Sequence, residues 1–203
     1  LGKAVSFLHQ GGSAIVGIGD RVKRLTLLRH AKSSWDDAVS RDFDRPLNKR
    51  GERAARAMGS ELRALALRFD HLIASPAVRV RETLDSFGAT YGELPDPDFQ
   101  MGAYLAPASA LLDLVQNSPA DAESVLMAGP NSGLEDLVFL LVPDRVEDLE
   151  RDKVEEKYPT AAVAEIAFDV DDWEEAKPGT GRLVRFIRPR DVDPALGPGR
   201  ADA

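Results

Sequence analysis

The chain has 203 residues, enough for one sizeable core but short for two full domains. Hydrophobic residues make up 43% and charged residues 30%, the balance of an ordinary globular protein, and a formal net charge of −8 excludes a nucleic-acid binder that is basic all over. With no cysteine there are no disulfides, thiolate chemistry or cysteine zinc sites, and three widely spaced histidines do not make a metal cluster.

Residues 1–23 are mildly apolar but broken by His9, Gln10 and a glycine pair, and no run reaches the roughly eighteen apolar residues of a membrane span. They read as a flexible extension rather than a signal sequence, which puts the protein in the cytoplasm and off the membrane. "GIGD" at 17–20 resembles the start of a dinucleotide loop, but no helix carrying the rest of that fingerprint follows it.

"RLTLLR" (24–29) is a short apolar run bounded by charge, the pattern of a buried strand. A polar loop with Trp35, two acids and "RDFDRPL" leads to Asn48, an N-cap for a long amphipathic helix. Ala54, Met58, Leu62, Leu65 and Phe69 recur at spacings of three and four and predict its buried face. "HLIAS" (71–75) is a strand and "AVRVRETLDSFGATY" (77–91) a helix with Val80, Leu84, Phe87 and Tyr91 on one stripe. "LPDPDFQMGAYL" (94–105) is broken by proline and predicts an irregular crossing with a short strand. A helix over 109–118, a strand over 124–128 and a helix over 133–142 follow. The acid-rich "DLERDKVEEK" (148–157) reads as a solvated helix face, "AEIAFDV" (164–170) and "RLVRFI" (182–187) as strands, and 193–203 as a disordered tail.

Strands alternating with helices imply a mostly parallel sheet covered on both faces, whose ligands sit beyond the carboxyl ends of the strands. Those ends carry Arg29-His30 with Lys32 just beyond, then Ser75-Pro76 with Arg79 one turn into a helix, then the glycine-rich turn "GPNSG" (129–133). Cations and an imidazole on one rim of an acidic chain suit a phosphoryl group, because guanidinium forks match its oxygens and keep a nearby histidine neutral and nucleophilic. Arg81 points elsewhere on its helix and reads as a surface charge, His71 and His9 have ordinary roles, and Met101 and Tyr104 pack. Glu135 and Asp136 favour a helix N-terminus.

"LTLLRHAKSSWDD", "RDFDRPLNKRGERAA", "LIASPAVRVRET", "SVLMAGPNSGLEDL" and the stretch over 157–192 resemble the histidine phosphatase superfamily, in particular its small SixA-like phosphohistidine phosphatase branch. The resemblance spans about 24–192 and implies one domain, an α/β three-layer α/β/α sandwich of the phosphoglycerate mutase-like fold. It implies that His30 takes the phosphoryl group and water then hydrolyses the phosphohistidine. Arg29 and Arg79 would clamp the phosphoryl oxygens, with Arg45, Lys32 and Asn131 as further substrate contacts, and neither metal nor cofactor is required. The expected partner is a phosphohistidine protein or a small phosphorylated compound, not nucleic acid.

The family expects a second histidine at the position of Pro130, within a Gly-His-Asn-Pro-Gly pattern. Proline can neither donate a hydrogen bond nor exchange a proton there. Ser132 or Asn131 could supply a substitute donor. No carboxylate follows Asp98 in the middle of the chain as a general acid, which favours a leaving group that departs easily, such as the imidazole of phosphohistidine. Three readings stay open: a slowed phosphatase, a non-catalytic phosphate- or phosphoprotein-binding module, and an active phosphatase carrying an engineered or accidental proline.

Overall fold

The computed structural model describes residues 22–34, 41–145 and 148–197. The expected N-terminal extension up to residue 21, with His9 and the "GIGD" stretch, lies outside these, as do Trp35 with its two neighbouring acids and the last six residues. Six strands form one sheet: β1 (Val22–Arg29), β2 (His71–Ala74), β3 (Asp98–Phe99), β4 (Ser124–Gly129), β5 (Val163–Asp169) and β6 (Arg182–Ile187), in the order β3-β2-β4-β1-β5-β6. β1, β2, β3 and β4 run parallel, and β5 and β6 are antiparallel at one edge. The mostly parallel sheet read from the sequence thus carries an antiparallel margin.

The helices are α1 (Lys49–Ala64), α2 (Val78–Tyr91), α3 (Ala108–Gln116), α4 (Gly133–Leu141), α5 (Leu149–Glu156) and the short α6 (Pro189–Val192). Side chains alternate along the buried strands because successive Cβ atoms point to opposite faces. Leu25 and Leu27 of β1 join Val125 and Met127 of β4 in one core, with residues of α3 and α4. Leu28, Leu126 and Ala128 join the other, with residues of α1 and α2. The result is the three-layer α/β/α arrangement.

Two local devices place the site. Asn48 caps α1, its Oδ1 accepting from Gly51 N at 2.8 Å, and its own N–H donates to Lys32 O at 3.0 Å. A Cβ on Gly51 would lie 2.2 Å from that same Lys32 oxygen, so glycine lets α1 start directly against the segment that follows His30. On the other side, Ala31 N donates to Thr83 Oγ1 at 2.9 Å, and Thr83 Oγ1 donates to Arg79 O at 2.5 Å, locking the same segment to α2.

Three expectations need correction. α1 stops at Ala64, so Leu65 and Phe69 are not on its face: Leu65 is 40% exposed, while Phe69 is buried beyond the helix. The cause is a Schellman turn, with Leu67 N bonded to Leu62 O, Ala66 N to Arg63 O, and Ala66 in the left-handed region at φ 54°. α5 is no purely solvated face, since Arg151 and Val154 are buried and Glu150 Oε2 accepts from Phe186 N of β6 at 2.9 Å. The tail read as disordered from 193 starts with an ordered turn, Pro194–Leu196, tied to α1 where Arg50 donates to the carbonyls of Leu196 and Gly197.

Candidate active site

β1 and β4 lie side by side with Arg29 opposite Gly129, and His30 N donates to Gly129 O at 2.9 Å. Ser75 N donates to Ala128 O at 2.9 Å, so β2 ends at the same rim. The parallel register therefore delivers all three sequence-predicted strand ends to one place. They border a pocket of about 680 Å³ whose wall includes Arg29, His30, Lys32, Arg45, Arg79, Pro130 and Asn131.

His30 is 9% exposed, and its Nδ1 lies 2.8 Å from Ala31 O. A carbonyl oxygen only accepts, so Nδ1 carries the proton and Nε2 keeps its lone pair. Burial lowers the imidazole pKa to about 4; the bond to Ala31 opposes this, and Arg79, Arg29 and Arg45 push in the same direction as burial. His30 is accordingly neutral throughout the physiological range. Because the folded value lies below the ordinary 6.5, the unfolded chain takes up a proton between about 4 and 6.5 that the folded one refuses, and His30's contribution to stability is lost as pH falls through that window. In an NMR titration the His30 ring signals should stay fixed from pH 8 down to about 5.5, with the Nδ1–H tautomer visible in long-range ¹H–¹⁵N correlations. A midpoint near 6.5 would contradict this geometry.

The cations are held from behind. Arg29 donates through Nη1 to Tyr158 O, and its buried Nε has no partner among the described residues. Burial lowers the Arg29 pKa, against the opposing pull of Glu135. Arg79 is 3% exposed and donates to Asp42 twice, Nη1 to the backbone oxygen at 2.6 Å and Nη2 to Oδ2 at 2.9 Å. Arg45 donates to Asp42 Oδ1 at 3.0 Å, Ser33 Oγ at 2.5 Å and Ser34 O at 3.2 Å. Arg81 lies outside the cluster, exposed, with its guanidinium 3.8 Å from the centre of the Phe99 ring.

Asn131 is on the pocket wall, but both ends of its amide serve α4: Nδ2 donates to Glu135 Oε2 at 2.6 Å and Oδ1 accepts from Glu135 N at 3.2 Å. Ser132 is exposed and not on the wall. Pro130 is buried there, beside the strand end that carries His30.

Sequence reasoning missed Asp42, which joins two of the arginines, and four further cations that line the pocket, Arg50, Lys157, Arg188 and Arg190. Arg188 is bound to Asp191 and Glu156, and Arg190 to Glu156. The run of charges in "RDFDRPLNKR" was the only clue to Asp42 and Arg50; Lys157, Arg188 and Arg190 come from the later part of the chain and left no local signal.

Comparison with known proteins agrees with this geometry. The histidine phosphatase superfamily (branch 1) matches residues 25–98. An uncharacterised chloroplastic protein of Arabidopsis thaliana is 31% identical over 82% of this chain and 78% of its own length. A Nakamurella multipartitia structure assigned as phosphohistidine phosphatase SixA has a TM-score of 0.73 and 26% identity, covering 83% of this chain and 96% of that one. An Agrobacterium tumefaciens structure with the same assignment has a TM-score of 0.67 and 27% identity, covering 82% and 98%. The strand-end histidine, the arginines around it and these likenesses agree, and the chain belongs to the histidine phosphatase superfamily, as a phosphatase of its SixA-like branch.

Proposed function

We propose that the protein is a cytoplasmic, metal-independent phosphatase that hydrolyses phosphohistidine or a related phosphoryl compound through a phospho-His30 intermediate, slowed by Pro130. The observation that carries this reading is the state of His30: neutral, Nδ1–H tied to Ala31 O, Nε2 free, and arginines on the same pocket wall. Nε2 attacks phosphorus, the bond to the leaving group breaks, and the leaving group keeps that electron pair. The imidazolium that forms is steadied through its Nδ1–H by the Ala31 carbonyl, and the guanidiniums balance charge on the phosphoryl oxygens. Water then attacks the phosphohistidine and returns neutral His30.

The pocket wall also favours a phosphoramidate as substrate. Its one carboxylate among the described residues is Asp42. Partial burial opposes it, yet the hydrogen bond from Tyr104 and the pull of Arg79 and Arg45 hold the Asp42 carboxyl below its ordinary value, so it carries no proton to give. An imidazole already protonated on its other nitrogen leaves neutral and needs no acid, unlike an alkoxide. The two substrate sources, a phosphohistidine protein and a small phosphorylated compound, share this chemistry.

Incubation with a ³²P-labelled phosphohistidine peptide or with phosphoramidate, followed by rapid alkaline quench, tests the proposal. A base-stable, acid-labile label on the peptide containing His30, absent from His30→Ala, is the expected result. Turnover without that label would place the nucleophile elsewhere. Tight phosphate binding with neither label nor turnover would favour the non-catalytic module.

A further inference from the structure

Asp42 opens a 3-10 turn, Asp42–Asp44, and its carboxylate and backbone oxygens are engaged by donors from α2, from the segment after β3 and from Arg45 at the end of the turn. Oδ1 accepts from Arg45 at 3.0 Å. Oδ2 accepts from Arg79 at 2.9 Å and from the Tyr104 hydroxyl at 2.9 Å, while the backbone oxygen accepts from Arg79 at 2.6 Å. Phe43, the next residue, packs edge-on against Tyr104 with ring centroids 5.1 Å apart, so the turn and the segment after β3 hold each other in place. Glu82 of α2 accepts from Leu47 N at 2.6 Å and pins the far end of the same stretch.

We propose that Asp42 is a positioning residue that joins Arg45 and Arg79 into a single two-guanidinium clamp for the phosphoryl group. This rests on the phosphatase reading given above. An arginine on a long side chain loses rotamer freedom when it binds an anion, and that cost falls if a carboxylate already holds its fork. Asp42 does so for two arginines from separate elements, one in α2 and one at the end of the turn. Arg79 spends one N–H of each terminal nitrogen on Asp42 and keeps its remaining donors, and it still borders the pocket. Tyr104 fixes the rotation of the carboxylate, so the clamp has a defined direction and not merely a net charge.

A carboxylate on the wall of an anion pocket also repels the ligand, and its side chain is 45% exposed. Positioning and repulsion predict opposite signs. Repulsion at a half-exposed site is screened by water and by the two guanidiniums it already pairs with, whereas hydrogen-bond alignment acts at contact range and is not. Alignment therefore dominates.

The test measures vanadate affinity, kcat and KM on an aryl phosphate, and the thermal midpoint for Asp42→Ala, Asp42→Asn, Asp42→Glu and Tyr104→Phe. Misplacing the clamp should weaken vanadate binding and lower kcat/KM by about a hundredfold in Asp42→Ala, mostly through kcat, because the guanidiniums are needed most where charge builds up in the transition state. Asp42→Glu should recover part of this loss, and Tyr104→Phe should lose less than Asp42→Ala. Should Asp42→Ala fail to fold, the isosteric Asp42→Asn carries the measurement, with a loss of the same sign. Unchanged or tighter vanadate binding in a variant that melts like the parent would overturn the proposal and make Asp42 a competing anion. A lowered midpoint with unchanged vanadate affinity in the folded protein would overturn it too, reducing Asp42 to a structural role. Absence of turnover in the parent chain would instead count against the phosphatase reading, and the vanadate measurement would still decide the role of Asp42.

Discussion

Replacing His30 by alanine is expected to lower kcat by about a thousandfold or more while leaving the fold intact, because removal of an attacking nucleophile is among the costliest single changes an active site can suffer. Among the described residues the His30 side chain makes one hydrogen bond, to the neighbouring Ala31 carbonyl, and the strand pairing of its backbone through Gly129 O does not depend on the ring. The thermal midpoint should therefore move little. Inorganic phosphate should still bind, since Arg45 and Arg79 are held by Asp42, and Arg29 by Tyr158, none of which involves the imidazole. Steady-state hydrolysis of an aryl phosphate and of a phosphohistidine peptide checks the rate. Survival of more than a tenth of the parental kcat would remove His30 from the chemistry.

Pro130→His is expected to act in the opposite direction, raising kcat by about a hundred- to a thousandfold, the usual worth of one preorganised donor at a developing oxyanion. The sequence left open whether Asn131 or Ser132 compensates for the proline. The amide of Asn131 is committed to Glu135 at both ends, and Ser132 is exposed away from the pocket wall. Asn131 Nδ2 keeps one N–H beyond its bond to Glu135, held in place by that bond, so the size of the gain measures how far this amide stands in for the missing donor. The substitution also restores a backbone N–H that proline lacks. The same assay, run beside the parent and His30→Ala, is decisive: no gain in Pro130→His would mean that the site obtains its donors elsewhere, with Lys32 and Arg45 the first candidates on the wall.

The side chains of the candidate site were legible because the signals that carry them are local. A buried strand that ends in Arg-His, and another that runs through Ser-Pro into a helix with arginine in its first turn, can be read from a dozen residues each. Parallel pairing then brings such ends together by geometry alone, as the register of Arg29 with Gly129 does here. The ends of elements were less legible. Leu65 continues the helical spacing of α1, yet a Schellman turn stops the helix one residue earlier, and apolar periodicity carries no information about that turn. α5 looks solvated in composition but buries Arg151 and Val154, since Val154 joins the core with Leu183 and Phe186 of β6 and Glu150 accepts from Phe186 N.

By itself the sequence determined the alternation of strands and helices, the strand-end placement of His30 and the arginines proposed to act with it, and the proline in the turn after β4. The elements follow from residue type and short-range spacing, and the roles proposed for His30 and the arginines from the resemblance those stretches carry. Only the tertiary structure decided how those groups are held and tuned. Arg79 meets Asp42 from 37 positions away, Tyr104 meets it from 62, and Arg29 meets Tyr158 from 129. The burial that keeps His30 neutral, and the push of Arg79 and Arg45 in the same direction, likewise depend on residues distant in sequence. Hydrogen-bond geometry and desolvation are properties of three-dimensional neighbourhoods, and the chain specifies them only once it has folded.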